Sequence, residues 1–193
     1  ICVNIIRHYN EGWANGFRHN ILYWEIWNEP DIGESMWSGT REQYFDLYET
    51  AAKAIKSAAP NVKVGGPALG NPASPWTRPF LQHCRDRQVP LDFFSWHLYT
   101  ASPLQLRREA ERLRALLDEY GFSATESHLN EWHYLNCAWS QLCPTDPAQY
   151  AALRGLYDGM SGPEGAAFCA KMLMLLQDSG VDVANYYSGD TQR

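Results

Sequence analysis

Residues 21–27, 62–67, 91–97, 125–130 and 181–187 are short runs rich in β-branched and aromatic side chains, each divided from the next by a longer segment with helical periodicity. Strict alternation of this kind implies a parallel sheet with right-handed crossovers and helices packed on it, an α/β fold. Local signals agree. Thr40-Arg41-Glu42-Gln43 reads as a capping box that opens a helix over 41–59, with Tyr44, Leu47, Tyr48, Ala51, Ile55 and Ala58 on its apolar face. Ser74-Pro75 and Ser102-Pro103 each put a cap residue before a proline at the first helical position, and Gly121 ends the helix that Ser102 begins. Further helices are expected over 4–18, 146–157 and 161–178, with a long loop over 134–144. No linker, low-complexity stretch or sequence repeat divides residues 1–193, which read as one domain.

The first strand breaks at Asn28-Glu29-Pro30-Asp31, where Pro30 cannot continue a ladder. That places the Glu29 carboxylate at the strand's C-terminal lip, the end of a parallel α/β sheet where loops converge and sites are built. The fourth strand ends the same way, in Leu129-Asn130-Glu131-Trp132. A single glutamate in a loop is ordinarily just a solvated carboxylate. Two at matching strand ends point to chemistry. Hydrolysis of a glycosidic bond needs one carboxyl group to protonate the leaving oxygen and one carboxylate to attack or to activate water.

Composition narrows the partner. A net charge of −6 gives no basic footprint for nucleic acid, and no apolar run approaches the roughly 18 to 20 residues of a membrane span. Eight Trp and eleven Tyr supply flat faces that suit a sugar ring, although such rings also fill cores. Five cysteines, an odd number without a C-x-x-C pair, signal neither zinc nor a complete disulfide framework; Cys137 and Cys143 could bridge a loop, and free buried thiols are the favoured reading. His128 and His133 flank Glu131, but their spacing and the lack of a third ligand argue against a metal. No G-x-G-x-x-G or P-loop sequence is present, and no cofactor is expected.

Trp27-Asn28-Glu29-Pro30, Gly65-Gly66-Pro67, Ser95-Trp96-His97-Leu98-Tyr99 and Leu129-Asn130-Glu131-Trp132, in this order, resemble the clan of retaining glycoside hydrolases built on a (β/α)8 barrel. The chain is most similar to family 39, the β-xylosidase and α-L-iduronidase group. The resemblance implies a TIM barrel of which strands 4 to 8 are present and strands 1 to 3 have no counterpart, so that this is a partial barrel. It implies Glu29 as acid/base and Glu131 as nucleophile of a double displacement. Asn28 would hydrogen-bond the sugar 2-hydroxyl, and His97 and Tyr99 would bind the sugar or orient the nucleophile, with a core role equally open for these two. Trp132, Trp139, Tyr186 and Tyr187 have rings that could stack on a sugar, with core packing as the competing use; Trp132 and Tyr187 are carried as substrate-binding candidates. The expected activity is exo-acting and β-xylosidase-like on a carbohydrate substrate. An endo-glycanase of the same clan would share both glutamates, and a non-catalytic sugar-binding barrel would have no need of them.

Overall fold

A computed structural model describes residues 1–142 and 146–187. Five parallel strands, β1 (Tyr23–Glu25), β2 (Lys63–Leu69), β3 (Phe93–Thr100), β4 (Glu126–Tyr134) and β5 (Val183–Tyr186), lie side by side in chain order. Helices α1 (Cys2–Glu11), α2 (Arg41–Ala58), α3 (Thr77–Asp86), α4 (Pro103–Glu119), α5 (Trp139–Leu142), α6 (Tyr150–Ser161) and α7 (Pro163–Leu176) complete the alternation. None of them is long and apolar enough to cross a membrane.

The sheet is curled. Neighbouring strands lie about 4.8 Å apart, so in a flat sheet side chains on β1 and β4 would be separated by about 14 Å. Here the Asn130 amide on β4 donates to the Glu25 carboxylate on β1 at 2.8 Å, and Lys63 on β2 pairs with Glu126 on β4. This is the curvature of a partial (β/α)8 barrel. Strand residues alternate across it: Phe94, Trp96, Leu98 and Leu129 join Tyr48, Phe80, Leu113 and Met172 in the core beneath the helices, while Ser95, His97 and Glu131 face the concave side. Trp96 is fully buried, and its indole N–H donates to Ser127 Oγ at 3.0 Å, tying β3 to β4.

Element boundaries follow local chemistry. The capping box forms in both directions, with Gln43 N–H donating to Thr40 Oγ1 at 3.2 Å and Thr40 N–H to Gln43 Oε1 at 2.8 Å. Four expectations need correction. Helix α1 stops at Glu11 because Gly12 takes a left-handed φ of 77°, a conformation glycine adopts without steric cost. Ser74 Oγ accepts from Trp76 N–H in a turn, which delays α3 to Thr77. Ser102 does not cap α4 by its side chain; its own N–H donates to Thr100 Oγ1. The loop after Tyr134 contains the short helix α5. Of the cysteines, Cys84 is the buried free thiol, Cys2 and Cys169 are half-buried, and Cys143 lies outside the described residues.

Strand β1 borders the sheet, and Tyr9, Trp13, Phe17, Leu22, Tyr23 and Trp27 are exposed before, on or just after it. An edge that presents unpaired backbone and aromatic rings invites association. Residues 1–193 expressed alone are therefore expected to self-associate or to melt without a cooperative transition. Sedimentation and calorimetry decide this, and a monomer with a sharp melt would overturn the expectation.

Candidate active site

Glu29 is held by a chain that has left the strand without leaving the sheet. Ile26 N–H donates to Gly65 O at 3.0 Å and Glu29 N–H to Ala68 O at 2.9 Å, so the segment after β1 still pairs with β2. The buried Tyr44 hydroxyl, from α2, donates to Ile26 O at 2.9 Å. Between these anchors Trp27 and Glu29 take φ values of 74° and 48°, and Ala68 beside them one of 50°. Left-handed backbone in non-glycine residues costs energy and collects at functional sites. Gly70 makes room for the carboxylate: a Cβ there would stand 2.5 Å from Ile32 Cγ2 and 3.4 Å from Glu29 Oε1.

Glu131 reaches the same place by a different device. Strict alternation along β4 would turn Leu129 and Glu131 alike toward the helices. The β3–β4 ladder, however, pairs Trp96 with Leu129 and His97 with Glu131, so Asn130 is an extra residue. The β4–β5 ladder carries the same insertion, advancing from Leu129 to Trp132 while β5 advances only from Ala184 to Tyr186. This is a β-bulge: Asn130 faces the concave side as alternation already requires, and the inserted residue brings Glu131 to that side as well. The strand therefore runs through Glu131 to Tyr134, beyond the end expected from the sequence.

His97 lies between the two glutamates. It is 1% exposed, with Nδ1 2.7 Å from Glu29 Oε1 and 2.9 Å from Glu131 Oε2. One ligand atom from each of Glu29, His97 and Glu131 falls within 4.8 Å of the others. Burial works to lower the imidazole pKa, but the hydrogen bonds and negative charges of Glu131 and Glu29 outweigh it and push it up to about 9. His97 is thus an imidazolium at neutral pH. Burial also raises the Glu131 carboxyl, yet hydrogen bonding to His97, its charge and the Tyr99 hydroxyl together hold it below the usual carboxylate range. Tyr99 is itself raised far above an ordinary phenol by burial and by the charge and hydrogen bond of Glu131.

The other candidates are placed less uniformly. Asn28 is exposed beside Glu29, and Tyr187 is exposed past the end of β5, its N–H donating to Trp132 O at 3.1 Å. Trp132 is corrected: it is 2% exposed in the core near Phe168 and Tyr186, because the bulge sends it to the helix side, and its ring cannot reach a sugar. Trp139, on α5, is exposed and meets the Tyr99 ring edge-on at 4.8 Å. His133 shares a 2.6 Å hydrogen bond with the Tyr186 hydroxyl, while His128 stacks on Phe93 and bonds Glu126; neither joins Glu131. Glu25 and Asn130 were missed as site residues, since nothing in sequence spacing shows that β1 and β4 meet.

A cation could use the three atoms of Glu29, His97 and Glu131, but the proton His97 carries already serves as the positive charge between the carboxylates. Asp46, Glu49 and His83 form a second such group, and there Lys53 and Arg87 neutralise Glu49.

The model of glycosyl hydrolases family 39 matches residues 5–155. The chain belongs to that family. A β-xylosidase from Geobacillus stearothermophilus is 28% identical over 186 residues, covering 87% of this chain and 36% of that protein. A crystal structure of a glucosidase from Croceicoccus marinus superposes with a TM-score of 0.80 at 33% identity, over 98% of this chain and 37% of that one. A family 39 β-xylosidase from Caulobacter crescentus shares the fold, with a TM-score of 0.64 at 20% identity. This family 39 chain thus spans little more than a third of the relatives it matches.

Proposed function

We propose that residues 1–193 belong to the catalytic barrel of a retaining glycosidase in which Glu29 is the acid/base and Glu131 the nucleophile. One observation carries the reading. The two carboxylates meet at the C-terminal lip of the sheet with oxygen atoms within 4.8 Å of each other. Retaining enzymes place these groups about 5 to 5.5 Å apart, whereas inverting ones leave about 6.5 to 9.5 Å for a water. In the first step Glu131 attacks the anomeric carbon while Glu29 protonates the departing oxygen. The resulting ester is then hydrolysed by a water that Glu29 deprotonates. Asn28 is open to a bound sugar, and His97 and Tyr99 hold Glu131 ionised and aimed.

The substrate we infer is a β-xyloside cleaved from the chain end, in keeping with the β-xylosidase from Geobacillus stearothermophilus. The glucosidase from Croceicoccus marinus favours a glucoside as the second reading. Aryl β-xylosides and β-glucosides, with xylo-oligosaccharides beside them, separate the two sugars and separate exo from endo action, tested in an intact barrel carrying this sequence. NMR of the first-formed sugar should show the β anomer. An α product would end the retaining assignment.

A further inference from the structure

Glu25 lies on the concave face below both glutamates and adjoins groups that anchor each of them. On one side the Asn130 amide donates to its two oxygens at 2.8 and 3.0 Å. Asn130 is the inserted residue of the bulge and the neighbour of Glu131, so this contact fixes the backbone from which Glu131 turns inward. On the other side Ser95 lies near Glu25 and acts to lower its pKa; Ser95 Oγ accepts the Ala68 N–H at 2.9 Å, and Ala68 O accepts the Glu29 N–H at 2.9 Å. Although the residue as a whole is exposed at the sheet edge, its carboxylate is crowded enough for desolvation to raise its pKa, against the opposing pull of Ser95, His97 and Asn130.

We propose that Glu25 is a positioning residue that sets both catalytic carboxylates, acting on Glu131 through Asn130 and the bulge and on Glu29 through Ser95 and Ala68. Nothing local to β4 explains the bulge. Its ladders to β3 and β5 resume in register on either side of it, and an inserted residue in a parallel pair is uncommon. The contact from across the curled sheet pins Asn130, and with it the backbone that carries Glu131. Without the contact the bulged backbone at Asn130 is free to shift, which moves Glu131 relative to His97. The inference rests on the assignment of Glu131 as nucleophile, so its test must report on that assignment separately.

A 2-deoxy-2-fluoro-β-xyloside with a dinitrophenolate leaving group provides both readings in an intact barrel carrying this sequence. The nucleophile's oxygen bonds the anomeric carbon, the bond to dinitrophenolate breaks, and the fluorosugar ester persists for peptide mapping. Label on Glu131 is expected; no label, or label on another residue, would overturn the nucleophile assignment itself. Given label on Glu131, Glu25→Ala and Asn130→Ala should each slow the inactivation step about 100-fold, the effect of a displacement near 1 Å, while the affinity for the inactivator stays within about twofold. The double variant should lose no more than either single one, since both remove one contact. Glu25→Gln, which keeps an acceptor for the Asn130 amide, should recover at least about tenfold of what Glu25→Ala loses. Asn130→Ala keeps the test open should Glu25→Ala fail to fold. Full-rate labelling of the alanine variants, a loss confined to affinity, or additive losses would overturn the positioning role.

Discussion

Glu131→Gln in an intact barrel carrying this sequence should lose about 10⁴-fold or more in turnover on every substrate, because in the proposed mechanism attack on the anomeric carbon is made by that carboxylate. Glu29→Ala should behave differently. Dinitrophenolate leaves without a proton, so the first step on an activated glycoside survives, and the deficit shows in the second step, where a water must be deprotonated. On an unactivated oligosaccharide both steps suffer, and a loss of about 10²- to 10⁴-fold is expected. Azide needs no general base and should attack the accumulated ester, giving a β-glycosyl azide and restoring turnover on the activated substrate. The geometry supports the split: the two carboxylates contact the same His97 nitrogen from different strand ends, so each can be removed without dismantling the other's anchor. Equal losses on activated and unactivated substrates, with no azide product, would remove Glu29 from the acid/base role.

How far the sequence reached depended on whether the deciding interaction was local. The order of strands and helices was legible because hydrophobic periodicity reports burial directly, and the Thr40 capping box because its partners are neighbours in the chain. Glu29 was legible because Pro30 marks where the strand stops. Its left-handed backbone was not, since it is imposed by Tyr44 from α2 and by the pairing to Ala68. Glu131 was found beside Asn130 by its motif, yet period-two alternation along His128, Leu129, Asn130 and Glu131 would have turned it to the helix side. The inserted residue reverses that, and it carries no compositional mark. The same shift sends Trp132, carried as a substrate-binding candidate with core packing ranked ahead of stacking, into the core. Contacts across the curled sheet, such as Glu25 with Asn130, belong to the tertiary fold alone.

His97 should govern the alkaline side of both activity and stability. Its pKa is pushed from the usual 6.5 to about 9 by the two carboxylates it touches, against the opposing effect of burial, so near neutral pH its positive charge stands between Glu29 and Glu131. Because the three groups titrate together, the pH profile will report the cluster as a whole. A raised folded-state pKa stabilises the protein fully below 6.5, and this contribution disappears as pH climbs through about 9. For a buried imidazole this is on the order of 3 kcal/mol. His97→Asn should therefore pull the alkaline limb of the rate profile to lower pH and cost about 100-fold at pH 8 to 9, with a smaller loss near pH 5. In parallel, denaturant unfolding of the unsubstituted barrel should show stability falling between pH 6.5 and 9, and the variant should lack that slope. Superimposable alkaline limbs for the two proteins would mean that the His97 charge plays no part in the reaction.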